Sequence, residues 1–174
     1  TMSRTRDTAN MASPSGTFTG NIVSVAATFS GNVSVGGTLT YEDVTNIDST
    51  GIVTARTGVQ LGANSATSVV ALEAATATTS STSQVNIDTF SSSVYRSAQY
   101  QIQITRGALY HLTTLNVLHD GSSVFLSEFG TIKTTSTSLA SFDADINSGS
   151  VRVRATPSSS SSTTFKVSKV LTKV

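Results

Sequence analysis

The sequence predicts an all-β protein, with an N-terminal extended β-repeat region followed by an antiparallel, jelly-roll-like β-sandwich. Three observations carry this. Ser and Thr fill about a third of the 174 residues, far above ordinary usage, and both compete for backbone hydrogen bonds inside a helix. Apolar and polar residues alternate with a period of two through much of the second half, whereas no segment of ten or more residues carries a 3.6-residue apolar stripe. Gly, Asn and Asp interrupt these runs at intervals of about 8–12 residues, the spacing of sandwiches and barrels.

Residues 1–15 are polar, with Arg4, Arg6 and Asp7 near the start and no apolar period. They read as a flexible arm that orders on docking. Residues 16–63 hold short apolar pairs punctuated by Gly and Asn. Thr17-Phe18-Thr19-Gly20-Asn21-Ile22 returns as Thr28-Phe29-Ser30-Gly31-Asn32-Val33, 11 residues later. Looser echoes follow at Gly37–Thr40 and Asp48–Thr54. Each unit reads as a short strand and a turn, since Gly-Asn reaches positive φ at little cost. One such strand cannot bury its own apolar side, so the units must stack on copies. Intertwining of three chains meets that need.

Residues 64–174 form the predicted sandwich. Val69–Leu72 begins a strand, and a Thr/Ser-rich connection runs on to Ser83. Val85, Ile87 and Phe90 mark the next strand. Tyr100, Ile102 and Ile104 alternate with Gln99, Gln101 and Gln103 up to Gly107. Ala108–Leu118 is a longer strand, closed by the turn His119-Asp120-Gly121. Val124–Leu126 follows and ends at Gly130. Phe142, Ala144 and Ile146 alternate with Asp143 and Asp145, and the chain turns at Asn147-Ser148-Gly149. Val151, Val153 and Ala155 alternate with Arg152 and Arg154, and a last strand starts at Phe165.

Composition narrows the function. Charged residues are 12% of the chain and the net charge is +1; without a polybasic stretch there is no footprint for nucleic acid. Cysteine is absent, which removes disulfides, thiolate metal sites and Cys nucleophiles. No apolar run approaches the roughly 18 residues that span a bilayer, so no membrane insertion is expected. The opening residues lack the apolar core of a signal peptide.

No phosphate-binding loop, zinc-protease or nucleophile-elbow motif is present. His119 and Asp120 are adjacent and so point to opposite strand faces, a poor geometry for a base and its orienter. The expected role of Asp120-Gly121 is a turn, capped by His119. Asp143 and Asp145, with Glu128 as a third carboxylate, have the chemistry to hold calcium or cleave a glycoside. The favoured reading pairs them with Arg152 and Arg154 across the 147–149 turn. Tyr95 and Tyr110 are candidate sugar-stacking residues, and Ser158–Ser162 reads as a connection. No cofactor or metal is expected, and no enzymatic activity.

The segment Gly37–Val59, containing Tyr41-Glu42-Asp43-Val44-Thr45-Asn46-Ile47-Asp48-Ser49-Thr50-Gly51-Ile52-Val53-Thr54, resembles repeats of structural and fibre-like virion proteins of marine cyanophages. Tyr95–Ile104, His119-Asp120-Gly121, Glu128-Phe129-Gly130, Phe142–Asp145 and Val151–Pro157 resemble a C-terminal module of the same proteins. Ser3–Asp7 is similar to the starts of phage fibre chains. The resemblance implies a short fibre, head decoration or cement subunit in the virion, assembled in the host cytoplasm. It would act as a homotrimer and dock on other virion proteins through Arg4, Arg6 and Asp7. A second reading is an adhesin that recognises host-surface glycan.

Overall fold

The computed structural model describes residues 33–36, 49–62 and 68–174. The chain divides into two units, Thr1–Thr50 and Gly51–Val174. In the first, the described residues 33–36, 49 and 50 are exposed and form no strand. The expected docking arm and the repeats at 17–33 lie almost wholly outside the described residues.

Among the described residues of the second unit the alternating pattern becomes nine strands. They are β1 (Val59–Gly62), β2 (Ser68–Thr79), β3 (Val85–Ser91), β4 (Tyr95–Arg106), β5 (Leu109–His119), β6 (Val124–Lys133), β7 (Ala140–Asn147), β8 (Ser150–Pro157) and β9 (Thr163–Lys173). Six form one sheet in the order β1-β2-β9-β4-β5-β6, and three form another in the order β3-β8-β7. Every pairing is antiparallel. The all-β antiparallel class expected from the alternation is the observed one.

The core lies between the sheets. Tyr100, Ile102 and Ile104 of β4 meet Leu115 and Val117 of β5, Phe165 and Leu171 of β9, and Val151, Val153 and Ala155 of β8. The residues between them point the other way: Gln99, Gln101 and Gln103 are all exposed. A one-residue slip of β4 would bury three amides and expose three large side chains, which is what fixes the register.

Two strands run further than the residue pattern suggests. Ala74–Thr79 continues β2 where a connection was expected, because each residue pairs with Thr163–Ser168 of β9. Gly130 does not end β6. It takes φ +66° where the β5–β6 register shifts between Leu112 and Thr114. There it acts as a bulge, a conformation glycine enters at little cost.

Candidate functional site

The outer face of the six-stranded sheet is the broadest candidate surface. Its side chains fall in rows that cross the strands in register. One row runs Leu61, Val70, Thr172, Ser97, Leu118, Phe125; the next runs Val59, Leu72, Val170, Gln99, Asn116, Ser127. Then come Ala74, Ser168, Gln101, Thr114 and Phe129, followed by Thr76, Lys166, Gln103, Leu112 and Ile132. Lys166 is the single charge in these four rows. The large apolar residues concentrate in the first two rows and along β6, where Phe125 is 58% exposed and Ile132 69%. A groove of about 620 Å³ lies over the first two rows, between Ser97, Gln99, Asn116, Leu118, Phe125 and Val170. The amides of Gln99 and Asn116 touch across its floor at 3.4 Å.

A second constellation lies between the sheets. Glu73 of β2 and Tyr100 of β4 stand opposite Lys169 of β9, one on each side. All three occupy the inward phase. The Lys169 ammonium contacts Asp88 Oδ2 of β3 at 2.7 Å and Glu73 Oε2 at 3.0 Å, and donates to the Thr89 carbonyl at 3.3 Å. Tyr100 Oη donates to the same Asp88 oxygen at 2.9 Å. The lysine side chain is 5% exposed and that of Asp88 8%. Burial, and then the neighbouring Asp88 carboxylate, push the Tyr100 phenol far above its ordinary range. This cluster escaped the sequence analysis. Its signal was a lysine in the inward phase of Phe165, Val167, Lys169 and Leu171.

The sequence-derived candidates fall elsewhere. Asp145 accepts from Arg152 Nε at 2.6 Å and from Arg154 Nη1 at 3.1 Å on the β7–β8 hairpin. Asp143 meets Gln84 instead, at 3.4 Å. The Arg152 guanidinium holds the Asp145 carboxyl below its usual range. Glu128 accepts from Thr113 Oγ1 at 2.9 Å, on the other sheet, and no group of three His, Asp or Glu placed to hold a metal exists among the described residues. His119 is buried and uses Nδ1 to accept the Gly121 N–H at 3.1 Å. Asp120 is exposed and caps the N–H groups of Ser122 and Ser123. His111 is buried; Leu139 N–H reaches its Nδ1 at 3.4 Å, and its Nε2 has no hydrogen-bond partner among the described residues. Tyr110 is exposed at one end of the open face, whereas Tyr95 is half-buried beside the core. Ser158 anchors the end of β8 by donating N–H and Oγ to the Leu139 carbonyl. Arg4, Arg6 and Asp7 lie outside the described residues.

No protein-family model matches the chain, and no curated protein matches it. Among solved structures it is similar to the tailspike of Acinetobacter baumannii phage AM24, at 6% identity and TM-score 0.41, over 60% of this chain and 26% of that one. It is similar to the tailspike of Acinetobacter phage vB_ApiP_P1 at 15% identity and TM-score 0.37, over 77% of this chain and 25% of that one. A third is the tailspike gp49 of Acinetobacter baumannii bacteriophage Fri1, at 10% identity and TM-score 0.34, over 68% of this chain and 21% of that one. The chain thus spans about a quarter of the length of these tailspikes. The three come from Acinetobacter phages, not from a cyanophage. The last is described as a capsular polysaccharide depolymerase, which is an enzyme, and it overturns the expectation that enzymatic activity is excluded for this chain.

Proposed function

We propose that this protein is a structural subunit of a phage particle that assembles as a homotrimer through the open face of its six-stranded sheet. The observation that carries the reading is the composition of that face. Four rows of outward side chains contain one charge, Lys166, while Leu118, Phe125 and Val170 lie exposed around one groove and Leu61 is exposed on the edge strand β1. Covering a charged surface leaves ions without water, at a cost of several kcal/mol unless they are paired. A face almost free of charge avoids that cost and does not repel its own copy. Interface cores show the same depletion of charge and enrichment of aromatic residues. The number three comes from the resemblance of residues 37–59 and 69–174 to phage fibre chains.

A second reading has its own observation. Gln99, Gln101, Gln103 and Asn116 place neutral donors and acceptors across the open face, on which Phe125, Phe129 and Tyr110 are also exposed. A neutral glycan fits such a surface, which supports an adhesin that binds host polysaccharide. One face cannot be covered by a copy and open to glycan together. Sedimentation and native mass measurements on wild type and on Leu118→Glu/Phe125→Glu separate the two. Assembly predicts a wild-type trimer and a folded, monomeric variant. A wild-type monomer at assembly concentration, with glycans retained on an array, would favour the adhesin.

A further inference from the structure

We propose that Lys169 and Asp88 condense into a covalent amide that staples the two sheets together, with Glu73 as the catalytic base. The reacting groups are already in contact: Nζ lies 2.7 Å from Asp88 Oδ2 and 3.0 Å from Glu73 Oε2. Neither partner is free to leave. Lys169 sits in the middle of β9, hydrogen-bonded between β2 and β4. Asp88 sits in β3 of the opposing sheet, beside a register shift that departs from regular pairing with β8. Holding an amine and a carboxyl in such a pose is worth an effective concentration of about 10⁵–10⁸ M. That is the scale needed to drive a condensation that free amines and acids do not undergo in water.

Atoms and charges balance without any further reagent. One Nζ proton passes to the Asp88 carboxylate, leaving a neutral amine and a carboxylic acid. The amine lone pair attacks Asp88 Cγ, forming the Nζ–Cγ bond. Negative charge builds on a carboxyl oxygen, and Tyr100 Oη, already a donor to Asp88 at 2.9 Å, supplies a hydrogen bond to it. Glu73 takes a second proton from Nζ and returns it to the departing hydroxyl. The Cγ–O bond breaks, one water leaves, and Glu73 is a carboxylate again. The product amide replaces a buried cation and a buried anion with one neutral group, which removes their desolvation cost. Glu73 is more exposed than the other two, with a side chain at 29%, and this gives the water a way out.

The test is the mass of the purified full chain under denaturing conditions. A linked chain is lighter than its sequence by one water, and digestion yields a branched peptide joining Lys169 to Asp88. The full sequence mass, or a water lost from any other site, overturns the proposal. Lys169→Arg keeps the positive charge but must show the full mass. Glu73→Gln, at the more exposed position, should fold and link about a hundredfold more slowly, in line with the loss of a general base. Linking at the wild-type rate in that variant overturns the role of Glu73. Circular dichroism on each variant confirms that a missing link reflects chemistry rather than unfolding.

Discussion

The backbone N–H of Leu139 is directed at Nδ1 of His111, 3.4 Å away, and this contact ties the β6–β7 crossover to the inner face of β5. The acceptor role requires a neutral ring. Burial pushes the His111 pKa below its ordinary value, Glu128 opposes that shift and Lys133 reinforces it.

That gives a pH dependence with a definite sign. Since the folded value lies below the unfolded one, the neutral ring contributes stability above about pH 6.5, the ordinary value. The contribution declines as the pH falls through the unfolded value toward the folded one. Thermal unfolding followed between pH 7.5 and 5 should show a falling melting temperature, and His111→Gln should flatten that dependence.

Asp145 responds in a lower window. Its carboxyl is held down first by the hydrogen bond from Arg152, so its contribution is present above about pH 4 and is lost below. Reversing both arginines, as Arg152→Asp/Arg154→Asp, places like charges across the β7–β8 hairpin. The melting temperature at pH 7 should fall, and the oligomeric state should not change.

Phe165 is fully buried in β9. Phe165→Ala should cost about 3–5 kcal/mol, the range for a large aromatic residue removed from a packed core. Urea unfolding followed by fluorescence of the four tyrosines measures it. A loss below about 1 kcal/mol would mean that the core is not packed as described.

Gly58 takes φ +113°, and an added Cβ would meet the Leu72 carbonyl oxygen at 2.7 Å. Backbone cannot give way as a side-chain end can. Gly58→Ala should therefore detach β1 from β2, at a cost of about 1–2 kcal/mol for the left-handed conformation alone. Hydrogen exchange should then accelerate at Val59–Gly62 and stay slow in β4 and β9.

Much of the sandwich was legible in its residues because a half-buried strand writes its burial as alternation. Gln99–Ile104 and Val151–Ala155 show this, and both take the expected phase. Ala74–Thr79 was not legible, since Ala and Thr carry too little contrast in polarity to mark a face; pairing with β9 makes it strand. Gly130 looked like an end and is a bulge, a distinction set by the neighbouring strand. The open face was written in the sequence, as Gln99, Gln101 and Gln103, but its breadth depends on five other strands brought alongside. The Lys169 cluster joins residues 73, 88, 100 and 169, and no local pattern announces contacts at such separations.

Among the described residues, β9 lies between β2 and β4 and joins the β1–β2 hairpin to the β4–β5–β6 meander in the large sheet. During synthesis the two halves of the large sheet therefore emerge well before the strand that joins them. Until Thr163–Lys173 leaves the ribosome, the β2 and β4 edges that it will occupy remain open to wrong pairings. Folding of this unit is thus held back to its latest strand, and a nascent chain halted before residue 163 should be recognised by chaperones as unfinished.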